Sequence, residues 1–320
     1  MSSSSDPLYR EDEMKCLVCR GKAVIQVRRH HANFCKDHFI EHVRRQVERT
    51  IHDFRMFGPG DRLVLGVSGG KDSLALWDIL THLGYSVDGV YLHLGIGVYS
   101  SDSLRFSQDF AQTRGLSLEV VDLPDQYDFS VPEAASASHR SPCSACGLSK
   151  RYILNRVAET AGYDVLVMGH NLDDEAATLF SNVLQWNADY LGRQRPVLPA
   201  TEQGLARKVK PLIRVAERET AAYAVLSGID YEVEECPMAS GNTLNRYKEW
   251  LNRLEEQSPG IKASFLFGFF ERGAEHFDPG DGVELRECSF CGQPTTGDVC
   301  AFCKLQKLTI SRRPELTISS

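Results

Sequence analysis

A chain of 320 residues and 35.8 kDa exceeds the usual single-domain size, so one main domain with smaller attachments is expected. With 42% hydrophobic and 25% charged residues it can bury a core, which excludes a disordered chain, a collagen and a small disulfide scaffold. A net charge of -7 excludes a protein that coats nucleic acid by bulk electrostatics, although a local basic face remains open.

Residues 1–57 are basic where the whole is acidic, with eleven Lys and Arg against eight acids and five His besides. Met1 to Lys15 is polar and the densest aromatic run, Phe265 to Phe270, is too short to span a bilayer, so a cytoplasmic protein with no membrane segment is expected. In a reducing compartment ten cysteines point to metal ligation before disulfides. Cys16 and Cys19 form CxxC, and Cys35 and His38 form CxxH, with His30 or His31 as the alternative fourth ligand. Two ligands two residues apart wrap one ion through a tight knuckle, and two knuckles complete a tetrahedral zinc site with no open position, hence a structural one. Phe39, Val43, Val47, Ile51 and Phe54 then recur at helical spacing and predict a helix over 39–57.

From Asp61 short apolar runs alternate with amphipathic stretches. Strands are expected at 63–67, 87–94, 118–123, 165–168 and 229–233, and helices at 73–83, 103–114, 148–161, 175–186 and 216–226. Such alternation implies an α/β domain with a doubly wound, largely parallel sheet. The first strand ends in Ser68-Gly69-Gly70-Lys71-Asp72-Ser73, directly before a helix. Two glycines let the backbone approach a polyanion, the serines offer hydroxyls, and the helix start offers unpaired N–H groups, so the segment suits a phosphate. It is neither GxxxxGK[ST] nor GxGxxG, which argues against a Walker NTPase and a dinucleotide fold.

Further along, Cys143 and Cys146 form another CxxC, and Cys236 follows the strand expected at 229–233. Three thiols without a fourth suit an iron–sulfur cluster with one iron left open, a dithiol or persulfide relay, a third zinc, or plain buried cysteines, and the residues alone leave these open. Lys150 lies one helical turn beyond Cys146. Asp174 stands just past a strand end, where a carboxylate can bind magnesium or pair with Lys150. Near the end Cys288, Cys291, Cys300 and Cys303 form two CxxC knuckles with Gly292 and Gly297 between them, the pattern of a structural zinc ribbon.

The Ser68 to Ser73 segment resembles the pyrophosphate-binding loop of the N-type ATP pyrophosphatases, the PP-loop family. Gly169-His170-Asn171-Leu172-Asp173-Asp174 resembles the second motif of its tRNA-thiolating members, and Cys143 to Arg151, Glu234-Glu235-Cys236-Pro237 and the terminal knuckles are similar to those of the tRNA 2-thiouridine synthetase group. Leu94-Gly95-Ile96-Gly97, Arg286-Glu287-Cys288 and Pro294 to Gly297 place the similarity nearest the branch acting on 5-methyluridine 54 of tRNA, with the wobble uridine-34 branch as neighbour. The resemblance implies a sulfurtransferase that binds ATP with Mg2+ at Ser68, Gly69, Gly70, Lys71, Asp72, Ser73, Leu92 and Gly169. It also implies a [4Fe-4S] cluster on Cys143, Cys146 and Cys236, catalytic roles for these cysteines with Lys150 and Asp174, and two structural Zn2+ ions. The implied partners are tRNA, a ubiquitin-like sulfur carrier with a C-terminal thiocarboxylate, and a second copy in a homodimer.

For tRNA phosphates the candidates are Arg28, Arg29, Arg44, Arg45 and the stretches 193–195 and 207–210. The expected division is a zinc module and helix over 1–57, a catalytic domain over 58–240, a helical region over 241–284 and a zinc ribbon with tail over 285–320. Two rivals remain. A PP-loop ligase or amidating synthetase explains the loop but not the three central thiols; a non-catalytic zinc-bearing RNA-binding module explains the knuckles but leaves the loop idle.

Overall fold

The computed structural model describes residues 14–239, 241–277 and 284–313, so the serine-rich start and the end of the tail lie outside the described residues. A hairpin of β1 (Ile25–Val27) and β2 (Ala32–Phe34) leads into the helix Lys36–Asp53. The central sheet holds β3 (Leu63–Val67), β4 (Val87–His93), β5 (Leu118–Asp122), β6 (Val165–Val167), β7 (Val197–Leu198) and β8 (Arg207–Val209). Its order is β5-β4-β3-β6-β8-β7, parallel throughout except for β7, which runs antiparallel to β8 at the edge. A small ladder of β9 (Arg286–Glu287) and β10 (Pro294–Thr295) opens the C-terminal ribbon. Among the described residues no helix is long and apolar enough to cross a membrane.

Strand alternation builds two cores. Leu63, Leu65 and Val67 of β3 point to one face, under the helices Lys36–Asp53, Lys71–His82 and Glu217–Leu226. Val64, with Val90, Leu92 and Leu166 of the neighbouring strands, points to the other, under Val131–Ser138, Pro142–Thr160 and Ala301–Ser311. This is the period-2 consequence of the pleat, and covering both faces makes the strands continuously apolar. The chain winds outward from β3 through β4 to β5, then returns to place β6 on the other side of β3. The strand order therefore reverses between β3 and β6, and a ligand crevice is expected beyond their carboxyl ends.

Three differences from the sequence reading have a clear local reason. The helix expected from 148 starts at Pro142, because the Ser141 side chain accepts the Ser144 N–H and Pro142 suits the first turn; Cys143 and Cys146 thus sit on the helix itself. The helix expected from 175 starts at Leu172. Asn171 caps it by accepting the N–H groups of Asp173 (2.9 Å) and Asp174 (3.1 Å), while the Asp174 carboxylate accepts the Asn171 N–H at 3.0 Å. The strand expected at 229–233 does not form. That segment crosses the end of β3, where the Glu232 N–H donates to the Gly69 carbonyl at 2.9 Å, instead of lying beside a strand. The helices Thr243–Gln257 and Ile261–Gly268 pack on Leu172–Leu184, the helix of the second motif.

Candidate active site

The expected crevice is present as a cavity of about 250 Å³ at the carboxyl ends of β3, β4 and β6. Ser68, Asp72 and Ser73 line it from the glycine-rich loop, Leu92 and Tyr99 from the β4 side, Gly169 and His170 from beyond β6, and Lys150 from the helix Pro142–Thr160. Gly69 has φ +75°, and a Cβ there would collide with the Ser103 carbonyl, so the loop can close only with glycine. Ser73 Oγ accepts the Ser68 N–H at 3.1 Å and lies 3.2 Å from Ser68 Oγ, folding the loop around the helix start. A Cβ on Gly169 would stand 3.3 Å from Ser73 Cα, so this glycine lets the second motif approach the loop closely.

Beside the cavity lies a charged network that the sequence reading missed in part. Lys71 Nζ donates to Glu217 Oε1 at 2.8 Å and lies 3.2 Å from Asp72 Oδ2. Asp72 Oδ1 accepts from Asn171 Nδ2 (3.1 Å) and Thr220 Oγ1 (2.5 Å). Lys248 Nζ donates to Asp174 Oδ1 at 2.5 Å and to Glu217 Oε2 at 3.0 Å. Burial pushes Asp72 above the usual carboxylate range, with the Asp174 charge adding to it against Lys71. Burial opposes ionisation of Glu217 too, but there Lys248 and Lys71 win and bring it down to about 2. Glu217, Thr220 and Lys248 carried no motif; they were legible only as helix residues, and 146 and 148 positions separate the first two from the loop residues they bond.

The suggested Lys150–Asp174 pair is not made. Asp174 is occupied by its cap and by Lys248, while Lys150 faces the cavity and no carboxylate pairs with it among the described residues. The neighbouring acid has a different fate. Asp173 Oδ1 accepts from Lys262 Nζ at 2.5 Å, its Oδ2 accepts the Glu217 N–H at 2.8 Å, and both side chains of the pair are nearly inaccessible. Removing one partner of a buried pair strands the other charge, so Lys262→Ala is expected to destabilise the fold by about 3–5 kcal/mol, read as a lower denaturant midpoint with unchanged slope.

Cys143 and Cys146 stand in the first turn and a half of the helix Pro142–Thr160, and Cys236 precedes the turn Pro237–Ala239, which packs on that helix. Burial and the neighbouring Cys146 and Cys236 thiolates raise the Cys143 thiol, with Lys150 opposing. Tyr99, a wall of the cavity, is pushed up to about 12 by burial and, among others, by the charges of Cys236 and Cys146. Two groups of four ligand atoms lie within 4.8 Å of one another among the described residues, and the central cysteines belong to neither. At least one pair among them is wider apart than that, which disfavours a single zinc ion held by all three.

Those two tight groups are the terminal tetrads. Cys16, Cys19, Cys35 and His38 form one, with His38 as its fourth member, while His30 packs edge-on against His42 at 5.2 Å. Burial opposes the Cys16 thiolate, but the N–H groups of Cys19, Cys35 and Val18 bring it down to about 6, as a zinc knuckle requires. Cys288, Cys291, Cys300 and Cys303 form the other, with Gly292 at φ +74° turning the knuckle and Cys300 capping Ala301–Ser311. The ribbon is bolted to the helix of Cys143 and Lys150. Phe302 stacks on Tyr152 at 3.8 Å, and Asn155 donates to Gln293 at 3.0 Å.

Residues 40–252 match the model of the PP-loop domain, and 15–40 match that of the 2-thiouridine synthetase TtuA N-terminal LIM domain. The tRNA-5-methyluridine(54) 2-sulfurtransferase of Thermus thermophilus is 51% identical over 91% of this chain and 91% of its own. The chain belongs to the PP-loop family of tRNA-thiolating sulfurtransferases. The Pyrococcus horikoshii tRNA-5-methyluridine(54) 2-sulfurtransferase is 41% identical over 91% of this chain and 93% of its own. Among solved structures, the U34-tRNA thiolase NcsA from Methanococcus maripaludis with its [4Fe-4S] cluster superposes with a TM-score of 0.78 at 27% identity, covering 92% of this chain and 96% of that one.

Several cations suggested for tRNA are committed within this sulfurtransferase. Arg29 makes a bidentate pair with Glu219, Arg44 bonds Tyr223 and lies 3.5 Å from Asp78, Lys210 pairs with Glu175, and Arg195 and Arg207 bond the Ala274 and Arg55 carbonyls. Arg28, Arg45 and Arg193 remain exposed.

Proposed function

We propose that this sulfurtransferase activates the C2 oxygen of 5-methyluridine 54 of tRNA with ATP and replaces it with sulfur. The observation that carries the reading is a PP-loop crevice lined by Lys150, with Cys146 and Cys236 packed against the same core cluster as its walls Leu92 and Tyr99. A uracil C2 carbonyl is a poor electrophile, so its oxygen must become a leaving group. The C2 oxygen attacks the α-phosphorus of ATP and the bond to pyrophosphate breaks, leaving an O-adenylated uracil. A sulfur nucleophile then adds to C2, and the C2–O bond breaks to release AMP with the former carbonyl oxygen.

The loop Ser68 to Ser73 is suited to hold the departing pyrophosphate on backbone N–H groups and Lys71. Asp72, which lines the cavity, is the carboxylate placed for Mg2+, and Asp174 would join it only by giving up Lys248. Lys150 offsets the negative charge that develops at the α-phosphate. Cys143, Cys146 and Cys236 would hold the [4Fe-4S] cluster, which when bound supplies an iron without a protein ligand as an acceptor for sulfur. A target base within folded RNA must leave its stack to reach this depth. Sulfur supply by a ubiquitin-like thiocarboxylate carrier follows the family resemblance, and the exposed Leu244, Trp250 and Leu254 on Thr243–Gln257 favour a homodimer.

Position 54 is supported by relatives of that name at 51%, 41% and 40% identity, against 27% for the U34 thiolase structure. Nucleoside mass spectrometry of tRNA from a deletion strain tests it. Loss of 2-thio-5-methyluridine is expected; loss of wobble 2-thiouridine instead would move the target to position 34, and no loss would overturn the reading.

A further inference from the structure

Two lysines from distant parts of the chain converge on one carboxylate beside the crevice. Glu217 Oε1 accepts from Lys71 of the glycine-rich loop at 2.8 Å, and Oε2 accepts from Lys248 of the helix Thr243–Gln257 at 3.0 Å. Each oxygen takes one ammonium, so Glu217 spans the two cations as a pair of phosphate oxygens would. The Lys71 and Lys248 side chains are 23% and 19% exposed, enough to be reached from solvent and too little to be hydrated freely.

The nearby Lys262–Asp173 pair shows what a permanent tie looks like here. It is nearly inaccessible, at 6% and 5% exposure, with Asn252 as a further acceptor for Lys262 and the Glu217 N–H as a further donor to Asp173. That second tie also anchors the Glu217 backbone, so exchange at the Glu217 side chain need not move its helix. Glu217, 33% exposed, is the open end of the same network. Asp72 connects it to the cavity, since the residue is part of the cavity wall and its carboxylate lies 3.2 Å from Lys71.

We propose that Lys248 is a second cation of the pyrophosphate site, and that Glu217 is an internal stand-in for pyrophosphate, holding Lys71 and Lys248 in position until the nucleotide displaces it. The inference rests on the ATP reading above and adds to it a binding residue from outside the loop. The chemistry demands such a group: pyrophosphate leaves with several negative charges, and the loop alone brings one lysine against its own Asp72. Two lysines and three carboxylates, Asp72, Asp174 and Glu217, leave one negative charge in excess, so the anion enters with a divalent cation that the freed Asp174 can meet. Burial opposes the Lys248 charge, yet Asp174 and Glu217 hold it firmly protonated, so it arrives charged.

The two partners predict opposite signs. Magnesium pyrophosphate is titrated calorimetrically into the full-length protein and its variants, with circular dichroism confirming the fold. Lys248→Met is expected to weaken binding about tenfold by removing a charge-assisted contact, while Lys248→Arg keeps most of it. Glu217→Gln keeps the shape but removes the competing charge, and is expected to tighten binding several-fold. A merely structural role would weaken both or change neither, and either result overturns the inference while wild-type binding persists. Wild-type protein that does not bind magnesium pyrophosphate would overturn the nucleotide reading as well.

Discussion

Replacing Cys143, Cys146 or Cys236 by Ala is expected to abolish tRNA thiolation while both terminal tetrads keep their zinc. The ten cysteines divide into seven that stand, with His38, in two tight groups able to hold single ions, and three that do not. The three come from two segments, the start of Pro142–Thr160 and the loop before Pro237–Ala239, so no single thiol has a substitute nearby. Losing one of three ligands leaves a cubane with too few anchors to persist in water. The measurement is iron, zinc and labile sulfide analysis of anaerobically purified variants beside single-turnover thiolation. Iron is expected to fall with activity while zinc stays at the wild-type content; zinc loss in step with iron, or full activity without iron, would refute the assignment. Because Phe302 stacks on Tyr152 of the cysteine-bearing helix, removing the ribbon instead is expected to disturb both sites together.

Lys150→Ala is expected to lower single-turnover thiolation by about 100- to 1000-fold while iron content and pyrophosphate binding stay unchanged. Lys150 lies one turn beyond Cys146, lines the cavity with Ser68 and Asp72, and has no carboxylate partner among the described residues to diminish its field. A preorganised charge at developing phosphate charge acts on the transition state more than on the bound nucleotide, so the rate falls and affinity does not. A near wild-type rate would reduce Lys150 to a solvated helix residue. Asp174 needs a subtler substitution. Its carboxylate also closes a capping box and holds Lys248, so Asp174→Ala confounds chemistry with loss of a cap worth about 1 kcal/mol. Asp174→Asn retains an acceptor for the Asn171 N–H and separates the two.

Local patterns made much of this molecule legible. Cysteine and histidine spacing is a property of a few consecutive residues, and a CxxC knuckle forms the same way wherever it occurs; hence both terminal tetrads could be written down residue by residue. The strands Leu63–Val67 and Leu118–Asp122 and the loop beginning at Ser68 follow from apolar runs interrupted by glycines. Element starts were less legible, because a cap is decided by one side chain reaching back: Asn171 and Ser141 each lengthened a helix that apolar periodicity would begin later.

Tertiary structure alone decided who meets whom. An extended 229–233 segment is compatible with a strand until the chain carries it across the end of β3, where a single bond to Gly69 replaces a ladder. Arg29 and Arg44 look like RNA contacts in a basic segment until Glu219 and Tyr223 arrive from nearly two hundred residues away to bind them. Lys150 and Asp174 lie near one crevice, but ion pairing goes to the nearest desolvated partner, and that partner is Lys248 on a helix bearing no motif. Sequence by itself picked out the two Cys and His groups and the glycine-rich loop, whose chemistry is carried by neighbouring residues. The charge network around Lys71, Glu217, Asp174 and Lys248 required the fold, because charges act through space and are strongest where packing removes water.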